Sequence, residues 1–88
     1  MIAVYVMPES LTKEQYNKAR EALAATDANF DGRKHHSCIG EEGKLTVYEI
    51  WESQEAYDAF GKFLMPVLQE IGIKPKSQDI MQVVNLEQ

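Results

Sequence analysis

The residues best suited to chemistry are His35, His36, Cys38, Glu49 and Trp51, with Tyr5, Tyr48 and Tyr57 as further hydrogen-bonding groups. An imidazole titrates near neutrality, so His36 is a candidate catalytic acid or base; the plainer reading is a half-buried histidine bonded to a neighbouring strand or helix end. His35 and His36 are neighbours on a strand-like segment, so their side chains point to opposite faces and cannot chelate one metal together. His36 and Cys38 share a face, and a carboxylate such as Glu49 completes a ligand set only in one register of strand pairing; no metal is expected. Trp51 stands at a strand end just before a helix start, where a large aromatic is either a core plug or the platform of a pocket. The buried hydroxyls of Tyr5 and Tyr48 would need partners, and either can anchor a ligand. No nucleophile with a paired base, no phosphate-cradling glycine loop and no flavin or nicotinamide fingerprint is visible, so no cofactor is expected.

These residues need elements to position them, and periodicity supplies the elements. Ile2 to Met7 reads as a short strand ended by Pro8, and Thr12 with Gln15 has the spacing of a capping box that opens a helix. Tyr16, Ala19, Leu23 and Thr26 form that helix's inner stripe. After a turn at Asp27, Asn29, Asp31 and Gly32, Lys34 to Ile39 and Leu45 to Trp51 read as a hairpin joined across Gly40, Glu41, Glu42 and Gly43. Ser53 then caps a second helix closed by Gly72, with Ala56, Phe60, Phe63, Leu64, Val67, Leu68 and Ile71 as one apolar face. Pro66 removes a helical amide and predicts a kink or break between Gly61 and Pro66. Pro75 and Lys76 end the connection to a last strand over Asp79 to Leu86. Met7, Met65 and Met81 are adaptable lining for an apolar cavity, or ordinary core filling. Glu41, Glu42, Glu52, Glu55 and Asp58 form an acidic rim and suit the helix starts.

The order β-α-β-β-α-β, with right-handed crossovers, predicts an α+β fold of the ferredoxin-like kind: a four-stranded antiparallel sheet with both helices on one face. The first strand is apolar on both sides, Ile2, Val4 and Val6 against Ala3, Tyr5 and Met7, so the sheet is expected to be covered twice. The cheapest second cover is another copy of the chain, related by a two-fold axis.

That order, together with Glu49, Trp51, Glu52, Ser53, Glu55, Ala56 and Phe60 at the strand-to-helix junction, resembles the dimeric α/β-barrel superfamily, which includes the antibiotic-biosynthesis-monooxygenase-like proteins. The spacing between His36 and Trp51 is similar to that of an uncharacterised bacterial branch. The resemblance implies a homodimeric α/β barrel with a pocket between sheet and helices. In members that oxidise polyketides or open haem, that pocket uses an Asn on the first strand, a Trp ending the third and often a His in the second helix. Trp51 matches the aromatic; Phe60 stands where the His would fall, and Tyr5, Val6 and Met7 occupy the first strand. Haem degradation is therefore not what this chain's residues imply, and cofactor-free oxygenation is carried by analogy with the fold.

At 88 residues and 44% apolar content, residues 1–88 are expected to be a single domain. A domain of that size buries only about 60 to 65% of its unfolded surface, which also favours a partner copy. A formal charge of −5 provides no basic stripe, so neither nucleic acid nor an anionic membrane is an expected partner. One cysteine, no secretory leader pattern and no membrane-length apolar run point to the cytoplasm. Two functions remain. One is a small-molecule pocket protein, with His36 as acid or base and Trp51, Tyr48, Phe60 and Tyr5 shaping a site for a small apolar or aromatic ligand. The other is a non-catalytic homodimeric module with a filled core.

Overall fold

A computed structural model describes residues 1–87; the last residue of the expected 1–88 domain lies outside the described residues. The chain runs β1 (Ile2–Glu9), α1 (Lys13–Ala24), β2 (Arg33–Ile39), β3 (Thr46–Trp51), α2 (Gln54–Ile71) and β4 (Lys74–Gln82). The four strands form one antiparallel sheet in the order β2-β3-β1-β4. This is the ferredoxin-like arrangement that the sequence predicts.

Directly paired residues share a face, so the registers sort every strand residue. Ile2 pairs with Trp51, Val4 with Glu49 and Val6 with Val47, while His36 pairs with Glu49 and Cys38 with Val47. These residues face the helices, and Ile2, Val4 and Trp51 join Ala19, Leu23, Phe60 and Val67 in the core. The opposite face carries Ala3, Tyr5, Tyr48, Ile50 and Met81, paired among themselves across the same strands.

Local chemistry fixes both helices. At α1, Thr12 Oγ1 accepts from the Gln15 amide while the Gln15 side chain accepts from the Thr12 amide, the reciprocal pair of a capping box. Glu42, out in the β2–β3 hairpin, accepts from the Lys13 amide at 2.7 Å and occupies a further free donor at the same helix start. Ser53 caps α2 through the Ala56 amide, and Gly72 ends it in the left-handed region at φ 86°. Gly32 is needed for space: a Cβ there would lie 2.9 Å from that of Ala56 and 3.2 Å from Cγ of Glu52. The close approach lets the Glu52 amide donate to the Gly32 carbonyl, tying the entry of β2 to the β3–α2 junction.

Four expectations are corrected. The last strand begins at Lys74 and ends at Gln82, because Gly72 turns the chain straight onto the sheet edge; Val84 lies past the strand and is 98% exposed. An edge strand tolerates Pro75 because one row of its backbone groups needs no ladder partner. Of the expected kink or break between Gly61 and Pro66, the break is overturned: helix α2 runs continuously from Gln54 to Ile71, with Pro66 on its exposed side. Phe63 also points outward, since the inner stripe follows Tyr57, Phe60, Leu64, Val67 and Leu68. Met65 and Met81 are about half exposed, so neither fills the core.

Candidate functional site

The inner face of β3 reads Val47, Glu49, Trp51, which sets a carboxylate in the middle of an apolar stripe. Glu49 is 5% exposed and makes three side-chain contacts there. Its Oε1 accepts from the indole Nε1 of Trp51 at 2.9 Å. Its Oε2 accepts from Nδ1 of His36 at 2.5 Å and from Arg33 at 3.2 Å. Burial pushes the Glu49 carboxyl up, but hydrogen bonds from His36 and Trp51 and the charges of His36 and Arg33 outweigh it, holding the group below the usual carboxylate range. Glu49 is therefore ionised at neutral pH.

An ionised carboxylate only accepts, so Nδ1 of His36 carries a proton. In the neutral ring that leaves Nε2 as an acceptor, and the hydroxyl of Tyr16 lies 2.5 Å from it. The Tyr16 and His36 ring planes are 9° apart. Tyr16 reaches this point because it shares the inner stripe of α1 with Ala19 and Leu23, in the first turn after the capping box. The result is a line from Tyr16 through His36 to Glu49, a hydroxyl paired with a base that a buried carboxylate orients. Burial is the chief reason the Tyr16 phenol is pushed above its usual value, which keeps it protonated as a donor to His36.

The line borders a cavity of about 280 Å³ between the sheet and both helices. Val6, Val47, His36 and Glu49 contribute from the strands, Tyr16, Arg20 and Leu23 from α1, and Phe60, Leu64 and Leu68 from α2. Leu11, Phe30, Arg33, Ile73 and Pro75 add to the lining. The Arg33 guanidinium sits 4.8 Å over the Phe30 ring, and Phe30 packs on Phe60 at 5.4 Å. Tyr57 also lines the space; its hydroxyl donates to Gln78 at 2.8 Å, and burial, with the charges of Glu49 and Asp58, pushes its phenol up to about 12.

The structure divides the residues singled out from sequence. His36 and Phe60 line the cavity. Trp51 stands behind the wall, fully buried, packed on Phe60 at 4.9 Å and touching the site through its bond to Glu49. Tyr5 and Tyr48 lie on the other face of the sheet, where they pack edge-to-face at 6.3 Å and His35 meets Tyr48 at 5.6 Å. The pleat makes this unavoidable, since Tyr48 and Glu49 are adjacent and only one of them can face the helices. Cys38 shares the inner face with His36, yet among the described residues no three His, Cys, Asp or Glu side chains converge as a ligand set. Sequence reasoning gives Tyr16 no part in the site. Its partner His36 is twenty residues away, and only the packing of α1 on the sheet joins them. Glu49 did leave a signal, as a lone acid on an apolar stripe; Arg33 left none.

No family model matches the chain, and no curated protein matches it. Solved structures do. A protein provisionally assigned as an antibiotic biosynthesis monooxygenase from Chloroflexus aurantiacus J-10-fl aligns over 100% of this chain and 98% of its own, at 11% identity and a TM-score of 0.67. A second protein with the same provisional assignment, from Deinococcus radiodurans, aligns over 100% and 97% at 13% identity and a TM-score of 0.62. A structural-genomics protein, YJCS, covers 94% of this chain and 99% of its own at 16% identity and a TM-score of 0.63. At such identities the likeness is one of backbone: this chain has the ferredoxin-like fold of the antibiotic-biosynthesis-monooxygenase-like proteins.

Proposed function

We propose that the protein is a small-molecule enzyme of the acid/base kind, working without a cofactor, in which His36 exchanges a proton with a ligand held in the cavity. The observation that carries this reading is the Tyr16–His36–Glu49 line at the wall of an apolar cavity. A ligand acid meeting the Tyr16 oxygen gives up its proton to that oxygen as the phenolic proton passes to Nε2 of His36. The imidazolium so formed faces the Glu49 carboxylate, which stabilises it. The provisional monooxygenase assignment of two fold neighbours supports a direction for the step. Taking a proton from an activated carbon or a phenol leaves an electron-rich anion, the species that dioxygen attacks when no cofactor is present. A filled, non-catalytic core is disfavoured by the cavity itself.

A chromophoric phenol tests the proton step. 4-Nitrophenol absorbs differently as phenol and phenolate, so titration into the protein below the phenol's own pKa should raise the phenolate fraction. That rise should vanish in His36→Gln and shrink in Tyr16→Phe. Absence of binding, or an equal phenolate fraction in His36→Gln, would overturn the reading.

The working unit in this proposal is a homodimer in the cytoplasm, with the outer sheet faces of two copies packed together. Tyr5 and Tyr48, partly exposed on that face, and Met81, about half exposed, support it, as does the small size of the domain. A monomer mass in light scattering at micromolar concentration would contradict the pairing. For the location the support is narrower: among the described residues no helix is long and apolar enough to cross a membrane.

A further inference from the structure

We infer that the cavity takes an amphipathic anion: a ligand with an apolar or aromatic body and one acidic group set against Arg20 and Arg33. The inference rests on the pocket reading above and adds the charge of its occupant.

The charged side chains in the cavity wall are Arg20, Arg33, His36 and Glu49. Glu49 is no counter-charge for a cationic ligand, because His36, Trp51 and Arg33 already occupy its two oxygens. Arg33 uses one nitrogen on Glu49 and keeps the other donors of its guanidinium. The Arg20 guanidinium lies over the Tyr16 ring, 5.8 Å from its centre, and is in none of the ion pairs among the described residues. Two permanent cations thus stand against one engaged carboxylate, in a chain whose overall charge is −5. The remaining wall is apolar, with Leu23, Val47, Phe60 and Leu64 available to an aromatic or acyl body.

A neutral ligand would use the apolar wall and leave Arg20 to water. A cationic ligand would face repulsion with no free acid to offset it. A carboxylate or sulfonate suits the guanidinium fork, which binds such groups in a bidentate fashion.

Two fluorescent probes with similar aromatic bodies separate these cases: the anion 1-anilinonaphthalene-8-sulfonate and the neutral N-phenyl-1-naphthylamine. Each should displace the other, and the anion should bind about tenfold more tightly, the effect of one charge-assisted contact. Arg20→Gln should erase that preference while leaving the neutral probe's affinity unchanged, and Arg20→Lys should restore part of it. Arg20 is exposed, so both variants should fold, which circular dichroism verifies. Equal affinities in the unaltered protein, an unmoved anion affinity in Arg20→Gln, or two probes that do not compete would overturn the anion assignment and leave the pocket standing. Binding of neither probe would overturn both.

Discussion

The two faces of the sheet are built from the same strands, residue by residue, yet they handle polar groups in opposite ways. On the helix side, Glu49, His36, Trp51, Arg33 and Tyr16 form one connected network, and among the described residues no buried side-chain polar atom is left without a partner. On the other side, Tyr5, Tyr48 and His35 meet through ring edges, Asp79 and Ser37 stand opposite the two tyrosines, and among the described residues neither tyrosine hydroxyl makes a hydrogen bond. The first arrangement binds each member to a fixed position and proton state. The second is adhesive without being specific about protons, which suits a surface that meets another surface. Adjacency in β3 thus places Tyr48 on the outer face and Glu49 in the buried network.

The largest expected effect comes from removing the centre of the network. Glu49→Ala leaves the Trp51 indole, the Arg33 guanidinium and His36 Nδ1 without their acceptor. It should cost roughly 3 to 5 kcal/mol in denaturant unfolding, as breaking a buried ion pair does. Loss below about 1 kcal/mol would mean that water replaces the carboxylate and that the site is wet.

Acid should produce a smaller and graded loss. The Glu49 carboxyl is held below its ordinary value of 4.5, so its stabilisation is fully present above that value and disappears as pH falls through the lower, folded-state pKa. Unfolding free energies measured from about pH 6 to about pH 3 should therefore decline, and Glu49→Gln should flatten that decline. An unchanged slope in Glu49→Gln would place the acid sensitivity elsewhere.

The smallest effects make the sharpest contrast, because the chemical change is identical. Tyr16→Phe deletes the bond to His36 and should cost about 1 kcal/mol, whereas Tyr48→Phe should cost only a few tenths. Equal costs in calorimetry would dissolve the distinction between the faces.

The fold was legible because its signals are local. Thr12 with Gln15, Ser53 and Gly72 mark helix ends within a few residues, and strand alternation sets the faces. The start of β4 was less legible, since Pro75 and Lys76 resemble a connection unless one knows that the strand is an edge. The site was half legible for a related reason. His36 and Phe60 are inward by periodicity, but Tyr5 and Tyr48 suggest a pocket only by residue type, and type does not report which way the pleat turns. The Tyr16–His36 bond is a product of how α1 crosses the sheet, and no spacing along the chain encodes it.

The strand order has a consequence for how the chain reaches this structure. β1 is made first but lies inside the sheet, between β3 and β4, and its register with β4 pairs residues from opposite ends of the chain. Its β3 edge can pair only once Trp51 is made and its β4 edge only once Gln82 is, so folding depends on distant contacts and should be slower than in a helical protein of this size. In the interval, Ile2 to Met7 is an uncharged strand, apolar on both sides and free of proline, with both edges open. That is the composition from which intermolecular β-pairing starts, so the hazard of aggregation in this protein belongs to the newly made chain and ends when β4 docks.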